Sequence, residues 1–175
     1  MGILICGLNG VGKSTLGKRL AERLGWQFID NEDLYFPKTD TKYTYSSPRG
    51  KAEVIRLLEE QIEKDRRFVF AAVKGDYGEK LISLLDSIVV IDVPRELRLV
   101  RVRERSFLKF GERILADGDL AERENAWFAQ VERRPEDYVE KWLENVDCPV
   151  LHVDGTQPVE ENVEYLASVL TKTRR

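Results

Sequence analysis

Glycine, lysine and serine occur near the start of the chain in a spacing that suits phosphate binding. Residues 7–14 read GLNGVGKS and fit the pattern G-x-x-x-x-G-K-[ST]. Glycines let successive backbone N–H groups turn toward phosphate oxygens, and the following helix directs its N-terminal dipole at the same anion. In this motif the lysine, Lys13, supplies charge to the β- and γ-phosphates, and the hydroxyl of Ser14 reaches Mg²⁺. The residues predicted to contact the nucleotide here are Gly7, Leu8, Asn9, Gly10, Val11, Gly12, Lys13, Ser14 and Thr15.

Three carboxylates, Asp30, Glu32 and Asp33, follow the second apolar run of the chain. Open α/β sheets bind ligands at the carboxyl ends of their strands, so acids in this position are candidates for a ligand site. Phosphoryl transfer uses one carboxylate to hold Mg²⁺ through water and another to accept the proton of the attacking hydroxyl. Asp30, Glu32 and Asp33 are therefore candidates for these two roles, and their position alone leaves open which of them takes each role. The alternative is a group of solvated turn acids.

Arginine recurs at Arg98, Arg101 and Arg105, which is the i, i+3, i+7 spacing of one helical face. Like charges along one stripe repel each other, so such a face often binds an anion. Arginine also makes bidentate contacts with phosphate. Arg101 and Arg105 are therefore candidates to contact a phosphate group. A solvated helix face, partly neutralised by nearby glutamates, is the alternative.

The phosphoryl acceptor needs contacts of its own, and Arg49 and Lys74 are the basic candidates. Arg49 is the only arginine in residues 31–50. One arginine and one lysine are few for a phosphate dianion, and they suit a carboxylate or a hydroxyl-rich acceptor better. Lys109 and Arg113 lie in a glycine-containing stretch, and a lid formed there would exclude water from the reaction.

Short apolar runs alternate with helical patterns five times and set the frame for these residues. The first run, residues 3–6, directly precedes the glycine-rich loop, and Leu16, Leu20 and Leu24 then recur at helical spacing. Continuous apolar runs indicate strands buried on both faces, as in parallel sheets. The alternation predicts a three-layer α/β fold, with a five-stranded parallel sheet between helices. The predicted strands are residues 3–6, 26–30, 68–73, 88–92 and 150–154.

The predicted fold occupies one domain, residues 1–175, with two small excursions. One, at about residues 31–66, is the expected acceptor region, and the other, at about 106–130, is the expected lid. Within the first, residues 31–50 are predicted to be irregular, and Val54, Leu58 and Ile62 then recur at helical spacing. Lys and Arg total 28 against 31 Asp and Glu, which argues against a nucleic-acid partner. The two cysteines form no CxxC pair, and no apolar run approaches the ~20 residues of a membrane span. We expect a cytoplasmic monomer or homodimer without a nucleic-acid or membrane partner.

Three further segments, together with the order of elements, resemble the adenylate kinase, shikimate kinase and gluconate kinase group of P-loop kinases. Residues 28–34, FIDNEDL, resemble the acidic signature after the second strand in gluconate and shikimate kinases. Residues 70–77, FAAVKGDY, resemble the gluconate kinase segment that carries a Lys and a Tyr three apart. Residues 153–158, VDGTQP, resemble the last strand and turn of the group, where adenine lies. The resemblance is weak between residues 106 and 147.

The resemblance implies a small-molecule kinase that uses ATP and Mg²⁺, and it assigns roles to several residues. Asp30 matches the first carboxylate of the group, which implies that it binds the metal and acts in catalysis. Glu32 matches the substrate-facing carboxylate of shikimate kinase, with Glu in place of Asp, and Asp33 of the same signature is implied as a further substrate residue. Arg101 and Arg105 resemble the lid arginine pair of adenylate kinases, which implies that both are catalytic and stabilise charge on the transferring phosphoryl group. Tyr77, with Lys74, is implied as a substrate residue, and Thr156 and Gln157 as nucleotide-binding residues.

Other classes of P-loop protein fit the sequence less well. The chain contains neither the Asn-Lys-x-Asp nor the D-x-x-G motif of a GTPase. An AAA-type motor would end a buried strand in Asp-Glu, whereas Val93 follows Asp92 in this chain. The favoured interpretation is an ATP-dependent kinase of a hydroxyl-bearing metabolite. A nucleoside or nucleoside-monophosphate kinase is the first alternative, and an ATP-binding regulator with slow hydrolysis is the second.

Overall fold

The apolar runs form one all-parallel, five-stranded sheet in the order β2-β3-β1-β4-β5, in a computed structural model that describes residues 1–172. Helices cover both of its faces, and the predicted fold class is therefore confirmed. Side chains of β1 alternate between two cores, with Ile3 and Ile5 in one and Leu4 and Cys6 in the other. The strands are β1 (Gly2–Cys6), β2 (Gln27–Asp30), β3 (Phe68–Ala71), β4 (Leu85–Asp92) and β5 (Val150–Asp154).

Eight α-helices connect and cover the strands in residues 1–172. The first begins directly after the glycine-rich loop and ends at Gly25, whose φ of 67° suits a left-handed cap. The first and last helices pack on the core of Ile3, while the third and fourth pack on the core of Leu4. The helices are α1 (Lys13–Leu24), α2 (Asn31–Tyr35), α3 (Lys51–Lys64), α4 (Glu79–Ile82), α5 (Arg95–Phe110), α6 (Ala121–Arg133), α7 (Glu140–Leu143) and α8 (Val159–Lys172).

Strand register places the candidate residues along one edge of the sheet. Ala71 of β3 pairs with Ile5 on one side and with Asp30 on the other. Because adjacent strands lie about 4.8 Å apart, the end of β2 is only about 10 Å from the end of β1. The Gly7 N–H donates to the carbonyl of Val73 at 3.1 Å, which joins the glycine-rich loop to the segment after β3.

The structure differs from the sequence prediction in the two excursions. Helix α5 continues to Phe110, four residues beyond the point at which the apolar pattern fails, and Gly111 ends it with a φ of 61°. A short 3-10 helix, Gly111–Ile114, and α6 follow. The short helix α2 lies in a segment that was predicted to be irregular. No helix among residues 1–172 has the length and apolar character needed to cross a membrane.

Candidate functional site

The glycine-rich loop has a backbone that only glycine adopts without strain. Gly7, Gly10 and Gly12 have φ values of 141°, 88° and 98°. A Cβ at Gly10 would lie 2.3 Å from the carbonyl oxygen of Arg98, so any side chain there would clash with α5. At Gly12, by contrast, a Cβ would meet no atom within 4 Å, so this face of the loop is open. The open face and the first amides of α1 form the cradle expected for phosphates.

Lys13 lies in an environment that disfavours its own charge. Its ammonium donates to the carbonyl of Leu8 at 3.0 Å. Burial, and secondly the nearby Arg105, lower the pKa of Lys13 to about 8, while Asp30 acts in the opposite direction and Arg134 adds to the lowering. Several cations thus surround one lysine at the end of β1. Such an arrangement suits a polyanionic ligand, which would stabilise all of these charges.

The three arginines of the α5 stripe lie beside three different parts of the structure. Arg98 is 2% exposed, and its guanidinium donates to the carbonyl of Asn9 at 3.1 Å and to Glu136 at 2.7 Å. Arg101 donates to the carbonyl of Gly155 at 3.1 Å. Arg105 is exposed, and its charge acts on Lys13. Arg105 therefore lies on the phosphate side, whereas Arg101 lies beside the turn after β5.

Arg101 lines a cavity of about 290 Å³ that adjoins the glycine-rich loop. The predicted residues Thr156 and Gln157 are exposed and hydrogen-bond to the Asp154 carboxylate, and neither lines this cavity. Asn162, one turn into α8, does line it, and its position in sequence gave no signal of that contact. The lining residues are Gly10, Val11, Gly12, Thr15, Leu16, Ile91, Arg101, Gly155, Val159 and Asn162.

The acidic segment begins at the end of β2, where Asp30 caps α2 by accepting from the Glu32 N–H at 2.9 Å. The Glu32 carboxylate accepts from the Tyr45 hydroxyl at 3.3 Å and lies 3.9 Å from the Lys109 ammonium. Asp33 is exposed and forms an ion pair with Lys38. Asp30 and Glu32 thus lie together at the sheet edge, and Asp33 has an ionic partner outside this pair.

Residues of the chain fit a bound Mg²⁺ through their oxygen donors. Ser14 is exposed in the first turn of α1, and the Asp30 carboxylate acts on Lys13 in the same site. Mg²⁺ takes oxygen ligands and usually keeps several waters and substrate phosphates. Within residues 1–172 no group of three or more His, Cys, Asp or Glu side chains could hold a metal. This donor set suits a metal that arrives with a nucleotide.

The other three residues predicted to bind the acceptor, Arg49, Lys74 and Tyr77, already have protein partners. Arg49 donates to the carbonyl of Leu34 at 2.7 Å and lies 3.3 Å from the Glu53 carboxylate. Lys74 lies 4.3 Å above the Tyr138 ring and 3.6 Å from Asp76. Tyr77 is buried, and its hydroxyl donates to the side chain of Asn31. Of the three, Tyr77 touches the segment next to Asp30, Arg49 supports the end of α2, and Lys74 lies toward Tyr138.

Two further basic residues belong to the site. Arg134 donates to the side chain of Asn9 in the glycine-rich loop, and its charge acts on Lys13. Arg134 lies in the segment, residues 106–147, where the resemblance to the kinase group is weak, and it was not predicted. Lys109, which the sequence analysis assigns to the predicted lid, continues the arginine stripe one turn beyond Arg105. Burial, above all, lowers the pKa of Lys109, and the nearby Glu32 opposes that effect.

Comparison with known proteins agrees with this geometry. A family model described as AAA domain matches residues 3–108, more than half of the chain. The "Uncharacterized protein YqaC" of Bacillus subtilis (strain 168) is 29% identical, with 97% of each chain covered. A "Putative adenylate kinase" of Pyrococcus abyssi is 27% identical over 94% of this chain and 96% of its own. A "Probable gluconokinase" of Mus musculus is 39% identical over 56 residues, 32% of this chain and 30% of its own.

Solved structures share the fold at low sequence identity. A gluconokinase from Sinorhizobium meliloti 1021 superposes with a TM-score of 0.52 and 19% identity, covering 99% of this chain and 97% of its own. A shikimate kinase from Aquifex aeolicus gives a TM-score of 0.55 and 20% identity, with 99% and 98% coverage. The resemblance to this kinase group is therefore confirmed at the level of fold. The chain belongs to the AAA-domain family of P-loop proteins and has the fold of gluconokinase and shikimate kinase.

Proposed function

We propose that this protein is an ATP-dependent phosphotransferase that moves the γ-phosphoryl group to a hydroxyl of a small molecule. The observation that carries the proposal is the group of charges at the end of β1, where Arg105, Arg134 and Asp30 all act on Lys13. Phosphoryl transfer asks the protein mainly for positioning and charge neutralisation. Cations around a phosphate cradle, with a carboxylate at the same edge, provide both.

The nucleotide would bind across the glycine-rich loop. Backbone N–H groups of the loop and the Lys13 ammonium would hold the β- and γ-phosphates. The cavity lined by Arg101 would receive the base and ribose, because it adjoins the loop on the α8 side. Arg105 and Arg134 would stabilise negative charge on the transferring group.

Mg²⁺ has candidate ligands in Ser14 directly and in Asp30 through water. When bound, the metal would neutralise charge shared between the β- and γ-phosphate oxygens. Asp30 is fixed for this role by its hydrogen bond with the backbone of α2. Its orientation therefore does not depend on the ligand.

The acceptor hydroxyl would lie beside Asp30 and Glu32, and one of these carboxylates would take its proton. Glu32 is held by the Tyr45 hydroxyl and the Lys109 ammonium. Lys109 belongs to the end of α5, so Glu32 joins the acceptor region to the predicted lid. Closing this contact around an acceptor would keep water from the γ-phosphate.

Acceptor-dependent release of ADP tests the proposal. The purified chain should release ADP from ATP slowly by itself and at least about tenfold faster with one member of a panel of hydroxyl-bearing acids, polyols and nucleotides. An ATP-binding regulator would release ADP at the same slow rate with every compound. That uniform rate would contradict the proposal.

A nucleoside-monophosphate kinase is the second candidate. The relative named as an adenylate kinase covers 94% of this chain, which is more than the gluconokinase matches cover. Against it, Arg49 is already hydrogen-bonded to the end of α2 and paired with Glu53. Inclusion of AMP, CMP and UMP in the panel decides between the two acceptor classes.

A further inference from the structure

One buried carboxylate of α6 is only half satisfied. Glu124 is 1% exposed, and its Oε1 accepts from the Tyr43 hydroxyl at 2.8 Å. Its Oε2 is buried and has no hydrogen-bond partner among residues 1–172. The other buried charged side chain, Arg98, is paired with Glu136. Buried carboxylates without partners are costly, so an unpaired oxygen in a folded protein points to a group that is not part of this chain.

Glu124 is connected to the acceptor side of the candidate active site through an aromatic wall. The Tyr43 ring packs edge-on against the Tyr45 ring, with 5.7 Å between centroids, and lies 5.4 Å from Phe110. The Tyr45 hydroxyl donates to Glu32. Two carboxylates, Glu124 on the lid side and Glu32 on the Asp30 side, therefore hydrogen-bond to neighbouring tyrosines of one wall.

Two cations lie close to the aromatic wall, but neither forms an ion pair with Glu124. The Lys109 ammonium lies 4.1 Å above the Tyr45 ring and 3.9 Å from Glu32. Arg123 lies 5.3 Å above the Tyr43 ring, and no salt bridge of the described residues includes Glu124. The position beside Glu124 Oε2 thus favours a hydrogen-bond donor and disfavours an anion.

We propose that Glu124 binds the phosphoryl acceptor, and this proposal rests on the phosphotransferase function proposed above. Its Oε2 accepts a hydrogen bond from a hydroxyl or a protonated amine, at the end of the acceptor remote from the attacking oxygen. The acceptor therefore presents a donor group toward α6, and any carboxylate or phosphate that it carries faces elsewhere. Glu124 is in this sense a specificity residue that selects against an anion on the lid side.

Glu124→Gln separates this role from a purely structural one. A glutamine oxygen still accepts from Tyr43, so the variant keeps that link and loses a buried charge. Its amide N–H₂ would then face the donor of the acceptor, and the hydrogen bond would be lost. We expect the acceptor KM to rise about tenfold or more, the ATP KM to stay unchanged and the Tm to stay level or rise. Glu122→Gln, at an exposed position of the same helix, is the matched control and should leave all three unchanged.

Tyr43→Phe adds the opposite test. If Glu124 served only to anchor Tyr43, removal of the hydroxyl would raise the acceptor KM, and Glu124→Gln would not. The proposal predicts instead that Glu124→Gln raises the acceptor KM more than Tyr43→Phe does. The probes are D-glucitol, D-gluconate and D-glucamine, which share a chain of hydroxyls and end in a hydroxyl, a carboxylate or an ammonium group, together with any other panel compound that the wild type phosphorylates.

The assays identify the donor group of the acceptor, and they test the role of Glu124 separately from the kinase function. A larger loss in Glu124→Gln for D-glucamine than for D-glucitol would identify an ammonium as the donor, and an equal or smaller loss would identify a hydroxyl. An acceptor KM equal to that of the wild type in Glu124→Gln would overturn the assignment while the kinase function stands. Absence of transfer to every compound by a wild type that binds ATP would contradict the kinase function, and with it the role of Glu124.

Discussion

Lys13 links the chemistry of the site to its charge balance. In the protein alone its ammonium bonds to a loop carbonyl, with Arg105 and Arg134 close enough to disfavour its charge. A bound nucleotide would exchange that carbonyl for phosphate oxygens and would stabilise all three cations. The binding energy of the phosphates would thus come partly from relief of repulsion among these side chains.

The lowered pKa of Lys13 predicts a pH dependence of nucleotide binding. Lys13 loses its proton in the free protein as the pH rises through about 8. Because the proposed nucleotide site requires the charged lysine, kcat/KM for ATP should fall about tenfold for each pH unit above this value. A steady-state profile measured between pH about 7 and about 9.5 tests this. A profile that stays flat across that range would contradict the environment described for Lys13.

Stability should respond to the same titration with the opposite sign. A lysine whose folded pKa is lowered binds its proton more tightly in the unfolded chain, so stability is gained as the pH rises from about 8 toward the ordinary value of 10.5. The free energy of unfolding of the wild type, relative to Lys13→Met, should therefore rise across this window. Urea unfolding of the two proteins at several pH values measures the difference.

Some residues of the candidate site could be predicted from the sequence, whereas the contacts of others could not. The residues of the loop were predictable because contiguous backbone binds phosphate, and no tertiary contact is needed to recognise it. The partners of Arg49 and Lys74 were not, because they depend on how the acceptor region folds back. The burial of Glu124 could not be predicted either. An irregular segment precedes α6, and its sequence does not determine which face of that helix turns toward the core.

At the scale of elements, α5 positions several parts of the site at once. Arg98 donates a hydrogen bond to the Asn9 carbonyl of the glycine-rich loop, Arg101 adjoins the cavity and Arg105 lies near Lys13. The backbone of α5 also approaches Gly10 so closely that a Cβ would clash with it. A rigid helix thus fixes the loop and the cations relative to each other, and preorganisation of this kind lowers the cost of transition-state binding.

Replacement of Arg98 by methionine tests the support of the loop by α5. The variant removes the hydrogen bond to the Asn9 carbonyl from a buried position, so we expect a loss of about 1–3 kcal/mol in the free energy of unfolding and a raised ATP KM. Arg95→Met is the matched control, because Arg95 also pairs with Glu136 but is only partly buried, whereas Arg98 is almost fully buried. The control should cost under about 1 kcal/mol. Equal losses in urea unfolding would show that Arg98 acts only through Glu136.

The helices and strands that could be predicted from the sequence are those with a clear apolar pattern. Strands and long helices with clear stripes, such as the Val54, Leu58 and Ile62 stripe of α3, were found where predicted. The last turn of α5 was not predicted, because residues 107–110 lie in the expected lid and begin with the exposed Phe107 and Leu108 instead of an apolar stripe. Helix α2 has no apolar stripe, and its N-terminus is stabilised instead by the Asp30 cap. Such a cap is a local sequence signal, but Asp30 was interpreted as a site carboxylate because it belongs to an acidic cluster.

The whole molecule brings the proposed acceptor region and the proposed lid together over the carboxyl edge of the sheet. Arg113 donates to the Lys42 carbonyl at 2.8 Å, and Tyr43 bonds to Glu124. The end of α5 adds Phe110 and Lys109 to the same contact. A small cluster of Val102, Phe128 and Val131 joins α5 to α6. Acceptor binding and shielding from water would therefore be one event.

Removal of divalent metal tests whether the whole site operates with a metal–nucleotide complex. Ser14 and Asp30 cannot hold the ion without phosphate oxygens, so the requirement should appear only in the presence of ATP. We expect excess EDTA to abolish turnover and added Mg²⁺ to restore it, without a change in the Tm of the nucleotide-free protein. Full turnover in excess EDTA would exclude the proposed roles of both residues.

Transfer of label from γ-³²P-ATP to a small molecule tests the central claim most directly. The wild-type chain, incubated with the acceptor panel, should place the label on one organic acceptor rather than release it as inorganic phosphate. Lys13→Ala should lower the rate by about a hundredfold or more while the protein stays folded, because its charge is needed on the β- and γ-phosphates. Lys18→Ala, at an exposed position on α1, should transfer at the wild-type rate. Label found only in inorganic phosphate, or transfer by Lys13→Ala at the wild-type rate, would contradict the account.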